Sequence, residues 1–169
     1  PINYFAYHYW KSMSRRILRL LMGLPVLLGI FVLFSDQVHV VTDPISYLIL
    51  FVTVLGAMNI LFFVDVLLGL MEFWILHSDS VTFIVELITF FLAGSIIPLV
   101  FLPSWIQFTA DMLPFKYTGA FIVDAFVGNL SWFQVGLGVG VQLGWALLLL
   151  LITRIVWVYG LRRYEAVGT

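Results

Sequence analysis

Glu86 carries the most conspicuous chemistry in this sequence, because it is an acid set inside an apolar run. At helical spacing it shares a stripe with Thr82, Thr89 and Ala93, while Phe83, Ile84, Leu87, Ile88 and Phe91 cover the other side. A charge at the centre of a membrane helix costs about 2.5–3.5 kcal/mol on insertion scales, so the acid is expected to face protein or water. A helix beginning at Val81 puts Glu86 about 8 Å along its axis, and two roles stay open at that depth. One is structural, a pairing with Gln142 or Arg154. The other is a place on a translocation path with Thr82, Thr89 and Gln142. Asp65 and Glu72 share a helical face near the end of the preceding apolar run, where an interfacial structural role suits them.

Other chemistries are poorly supplied. There is no cysteine, which removes disulfides, thiolate metal sites and cysteine nucleophiles. His8, His39 and His77 lie in three separate links without the spacing a zinc site needs. His77-Ser78-Asp79-Ser80 contains the residue types of a catalytic triad, but adjacent residues do not point at one another in nucleophile, base and orienter order. A capped turn is the reading for that tetrapeptide. The lysines Lys11 and Lys116 follow aromatic residues and not a phosphate-cradling glycine loop, so no catalytic residue, metal site or bound cofactor is expected in this chain.

The elements that position Glu86 follow from composition. Of 169 residues, 63% are hydrophobic and 10% charged, with a mean hydropathy of +1.11. A soluble domain carries about 25% charged residues, so the solvent for this chain is lipid. A net charge of −1 leaves no basic footprint for nucleic acid. Apolar runs long enough for a hydrocarbon core of about 30 Å predict an all-α integral membrane protein with four transmembrane helices, at 17–34, 45–70, 81–100 and 133–158. Pro25 is expected to kink the first, and Asp43-Pro44 to open the second. Residues 1–16 form an interfacial segment, 159–169 a tail. Between the last two spans, residues 101–132 are broken by prolines into two amphipathic pieces expected to lie at the interface or re-enter. Gly136, Gly140 and Gly144 recur at every fourth residue of the last span, the small-residue pattern that lets membrane helices approach closely. A glycine-rich cofactor loop would need a preceding strand, so these are assigned to helix packing.

Lys11, Arg15, Arg16, Arg19, Arg154, Arg162 and Arg163 fall on one side of this arrangement and Lys116 alone on the other. By the positive-inside rule both ends are cytoplasmic and the 101–132 segment is external.

A resemblance then becomes specific. Arg162-Arg163-Tyr164-Glu165-Ala166-Val167-Gly168 at the C-terminal end is its most distinctive part. Leu102-Pro103-Ser104-Trp105, Leu113-Pro114-Phe115-Lys116-Tyr117 and Phe126-Val127-Gly128-Asn129-Leu130-Ser131 add to it, as do Phe73-Trp74 before Asp79, then Glu86 and Gly94. Together these resemble the permease subunits of bacterial type-two ABC transporters, over essentially the whole chain. The resemblance implies six spans, of which these are the last four, with Pro1 just after a cytoplasmic coupling segment. It further implies a second permease chain, like or unlike, in the bacterial inner membrane, and ATP-binding cassette subunits that hold ATP and magnesium. Tyr4, His8, Tyr9, Trp10 and Lys11 then become the candidate contact with the ATPase, against the alternative of an aromatic belt in the membrane interface.

The function expected is export of an amphipathic or hydrophobic small molecule. A proton-coupled carrier using Glu86 and a structural membrane subunit are the alternatives. The topology is directly testable: cysteines introduced at Ser78 and Thr169 should be labelled only from the cytoplasm, and ones at Gln37 and Gln107 only from outside. Reversal of Ser78 and Gln107 would overturn the orientation.

Overall fold

The computed structural model describes residues 4–33, 43–71 and 79–167, and among these all regular structure is helical. The link at 35–42, Glu72, and His77-Ser78 of the expected hairpin lie outside the described residues. The chain divides into two compact units at Pro44/Ile45.

The first unit is built on one helix, α1 (Tyr4–Leu33). The expected interfacial segment is therefore not separate from the first span, since both belong to a single 30-residue helix. Pro25 sits inside it. Because proline has no N–H, the Leu21 carbonyl lacks its usual intrahelical donor.

The second unit contains α2 (Pro44–Leu70), α3 (Asp79–Leu92), α4 (Ser104–Met112), α5 (Ala120–Val127) and α6 (Trp132–Val167), with short 3-10 turns at Leu99–Phe101 and Lys116–Thr118. α2 begins at Pro44, where a missing N–H costs nothing. α6 begins with a reciprocal capping box: the Ser131 N–H donates to Gln134 Oε1 at 2.8 Å, and the Gln134 N–H faces Ser131 Oγ at 3.4 Å. α5 ends at Gly128, whose φ of 85° closes the helix in the left-handed conformation.

Two helices among the described residues, Pro44–Leu70 and Trp132–Gly160, are long and apolar enough to cross a membrane. Only 22% of the most apolar window of each is buried within the chain, whereas the core helix of a soluble protein would be mostly covered. They run side by side in the same direction. Ile49 and Val139 flank one cluster, and farther along both helices Thr53 and Gly56 meet Gln142.

One expectation needs correction. The third span does not continue to residue 100: α3 is 14 residues long, about 21 Å at 1.5 Å per residue, and stops short of a bilayer core. Gly94 ends it with φ +75°, a conformation that any Cβ would strain. Apolar composition carries on past this point, but the helix does not. α6 remains helical to Val167, past the end of its membrane-length part at Gly160.

The packing glycines also differ. A Cβ at Gly136, Gly140 or Gly144 would meet no heavy atom within 4 Å, so helix approach among the described residues does not use them. The close contacts are at Gly138, where a Cβ would stand 2.1 Å from Phe121 Cε2, and at Gly56, where it would stand 2.5 Å from Gln142 Oε1. Gly138 is offset two residues from the glycine stripe, about 200° around the helix, and it is the buried one. The Phe121 ring fills that notch and joins Ala125 and Val135 in a cluster flanked by Ile49, Tyr117, Leu130 and Val139. Replacing Gly138 with Ala should destabilise the chain by about 1–3 kcal/mol, the usual cost of overpacking. Gly140→Ala should be neutral or slightly stabilising. Equal thermal unfolding of the two variants in detergent would contradict the notch.

Candidate functional site

Residues 93–121 leave the helical core and return to it. The Ala120 N–H donates to the Ala93 carbonyl at 2.8 Å, which closes a neck between the end of α3 and the start of α5. Glycines make the neck possible. A Cβ on Gly119 would lie 2.4 Å from the Ala93 oxygen, and Gly94 turns the chain away with its positive φ. The excursion from 94 to 119 carries α4, and its own side chains satisfy part of its backbone. Gln107 Nε2 donates to the Leu102 carbonyl at 2.7 Å, Thr118 Oγ to the Phe115 carbonyl at 2.7 Å and Thr109 Oγ to the Trp105 carbonyl at 2.8 Å. Lys116 pairs with Asp111 across the turn between α4 and α5.

The returning strand of this excursion is held on α6 at two points one helical turn apart. Phe121 enters the Gly138 notch. Four residues on, the Gln142 amide donates to the Tyr117 carbonyl at 2.8 Å and to the Thr53 carbonyl of α2 at 2.9 Å. Gln142 is 1% exposed and Thr53 fully buried, its hydroxyl donating back to the Ile49 and Leu50 carbonyls. One side chain thus ties α2, α6 and the Pro-broken segment together. Gln142 lies ten residues into α6, about 15 Å along its axis, so the segment reaches well down the helix pair instead of resting on its end.

Two cavities border this clasp. A cleft of about 460 Å³ lies within the excursion, lined by backbone at Gly94 and Gly119 and by Ser95, Gln107, Asp111, Lys116 and Asp124. A groove of about 470 Å³ lies between α2 and α6, lined by Gly56, Asn59, Phe63, Gln142, Leu143 and Ala146 among others.

The residues assigned to a path are not brought together. Thr82 and Thr89 are half-buried on α3, with the Thr89 hydroxyl on the Val85 carbonyl at 2.7 Å, and Glu86 is exposed between them. Both amide hydrogens of Gln142 are committed to carbonyls, so the expected pairing of Glu86 with Gln142 is not formed. Phe83, Ile84, Leu87 and Ile88 on the other side of α3 are exposed as well, and Phe91 is half-buried. In the first unit Tyr9, Trp10 and Lys11 sit in the first turns of α1: the Tyr9 and Trp10 rings meet edge to face at 5.7 Å, and the Lys11 ammonium stands 5.8 Å from the Tyr7 ring centroid. The side chains of Tyr4 and His8 lie outside the described ones. No group of three or more His, Asp or Glu among the described residues could hold a metal ion.

Thr53, Gly56, Phe121 and Gly138 were not singled out by sequence reasoning, and Tyr117 entered only as the end of the Leu113–Tyr117 motif. A signal was available for Gly138: it and Gln142 are four residues apart, which puts a small residue and a buried amide on one face of an apolar helix.

Membrane-length apolar helices and a Pro-broken segment folded back onto them are the architecture of a helical membrane protein. A family model described as ABC-2 family transporter protein matches residues 1–168, and the chain belongs to that family of ABC transporter permeases. No curated protein and no solved structure matches it.

Proposed function

We propose that this chain is the membrane-spanning part of an ATP-driven exporter in the bacterial inner membrane, moving an amphipathic small molecule with hydrolysis on separate ATP-binding cassette subunits. The observation that carries this reading is the family match along 1–168. The sequence supports the division of labour, because it has membrane-length apolar helices and no phosphate-binding loop. ATP and magnesium then belong to the partner ATPases.

The four-crossing arrangement draws support from the direction of the helices. α2 and α6 run the same way, so the chain between them must return across the bilayer. α3 covers about 21 Å of that distance. Its end meets the neck at Ala120, beside Phe121 and the Gly138 notch. Gly138 is six residues, or about 9 Å, along α6, so the two lengths add to about the 30 Å of a hydrocarbon core. A short helix followed by an excursion thereby serves as a complete crossing. The exposed Glu86, between half-buried Thr82 and Thr89, faces away from this core, where it can line a path shared with a second permease chain, like or unlike. The aromatic and basic start of α1, from Tyr4 through Lys11, is the proposed ATPase contact.

Transport of a cationic amphiphile into inverted membrane vesicles is the test. It should require ATP, stop with vanadate and survive collapse of the proton gradient. Glu86→Gln should lower cationic transport about tenfold, the effect of losing one well-placed charge interaction, while leaving the basal ATPase rate nearly intact. Transport driven by the proton gradient without ATP would make the chain a carrier, and unaltered transport by Glu86→Gln would remove Glu86 from the path.

A further inference from the structure

α5 is apolar at every position but one. In Ala120-Phe121-Ile122-Val123-Asp124-Ala125-Phe126-Val127 the acid is the only polar side chain, and an acid on a segment folded against membrane helices is costly unless a charge or hydrogen bonds hold it. The helix has two faces. Phe121 and Ala125 are buried in the cluster on α6, whereas Ala120, Val123 and Asp124, at i, i+3 and i+4, line the cleft of about 460 Å³ within the excursion. Asp124 is half-buried there. An ionised carboxylate has about four acceptor positions, and among the described residues this one accepts from the Asn129 amide alone, at 3.2 Å.

Charge in the cleft is unbalanced. Lys116 is the one basic residue among the described residues that line it, and it is paired with Asp111. Two carboxylates against one ammonium leave a net negative charge, and the pairing puts that surplus on Asp124. Position adds to it, because Asp124 stands in the last turn of α5, where the helix dipole disfavours an acid. The remaining wall does not suit a hydrated metal ion. Pro98, Leu99, Val100 and Val123 give it apolar surface, and Gln107 has its amide nitrogen on the Leu102 carbonyl. The volume falls within the roughly 300–1,000 Å³ of pockets that hold small organic molecules.

From this combination we infer that the cleft binds an organic cation, with its charged centre on the Asp124 carboxylate and its apolar body against Leu99, Val100 and Val123. Asp111 has a supporting part: by holding Lys116 it keeps the ammonium from occupying Asp124. The inference deepens the exporter reading and rests on it for one point, that the cleft meets cargo on the external side. Binding itself does not depend on that reading.

Equilibrium binding of radiolabelled tetraphenylphosphonium, a rigid cation with an apolar body, tests the site. It is measured on the complete transporter in lipid nanodiscs without ATP, with empty nanodiscs subtracted. Asp124→Asn, which keeps the shape and the acceptor for Asn129, should weaken binding about tenfold, as expected for one charge interaction at a half-buried position. Asp124→Glu should retain most of the affinity. Lys116→Gln should act in the opposite direction and tighten binding, because it leaves Asp111 unpaired, and Asp111→Asn should weaken it by freeing the ammonium into the cleft. Unchanged affinity in Asp124→Asn, or shifts of the same sign in Lys116→Gln and Asp111→Asn, would overturn the site. Opposite shifts, in a transporter whose vesicle transport proceeds without ATP, would support the site and contradict the exporter reading.

Discussion

Backbone that leaves a helix inside apolar surroundings must still satisfy its N–H and C=O groups, and water is not there to do so. Residues 93–131 interrupt the helices of a chain that is otherwise built to lie in lipid, and the rest of the second unit is arranged around that interruption. The Ala93 carbonyl, at the end of α3, accepts from Ala120; the Tyr117 carbonyl accepts from Gln142; the carbonyls of Leu102 and Phe115 accept from side chains within the excursion. Glycine supplies the close approaches around the neck and the Gln142 clasp: Gly119 against Ala93, Gly138 under Phe121, Gly56 beside Gln142.

The same constraint links fold to function. An uninterrupted helix in place of α3 and its excursion would cross the bilayer, but it would not offer the cleft around Asp111, Lys116 and Asp124. By ending α3 early at Gly94, the chain places there instead a piece held by a few directed bonds.

Much of this architecture is legible in the sequence where the signal is local or additive. The long apolar runs at 45–70 and 133–158 coincide within two residues with the membrane-length helices Pro44–Leu70 and Trp132–Gly160. Asp43-Pro44 and Ser131 mark helix starts, and the prolines at 103 and 114 bracket α4. Where the outcome depends on which residues meet in space, the reading fails. Hydropathy could not place the end of α3, because Ile96-Ile97-Pro98-Leu99-Val100-Phe101 stays apolar while the backbone has already turned at Gly94. The regular stripe Gly136, Gly140, Gly144 drew attention from Gly138, the one that a ring actually enters. Gln142 belongs to the important set, but for a reason that spacing along one helix does not contain: its partners are 25 and 89 residues away.

The account rests on a closed neck between α3 and α5, and amide hydrogen exchange at Ala120 tests it most directly. In lipid nanodiscs the Ala120 N–H, bonded to the Ala93 carbonyl, should exchange as slowly as amides in the middle of α6 and far more slowly than those of α4. Exchange at Ala120 as fast as in α4 would mean that the neck is open and that the segment is not folded back onto the membrane helices.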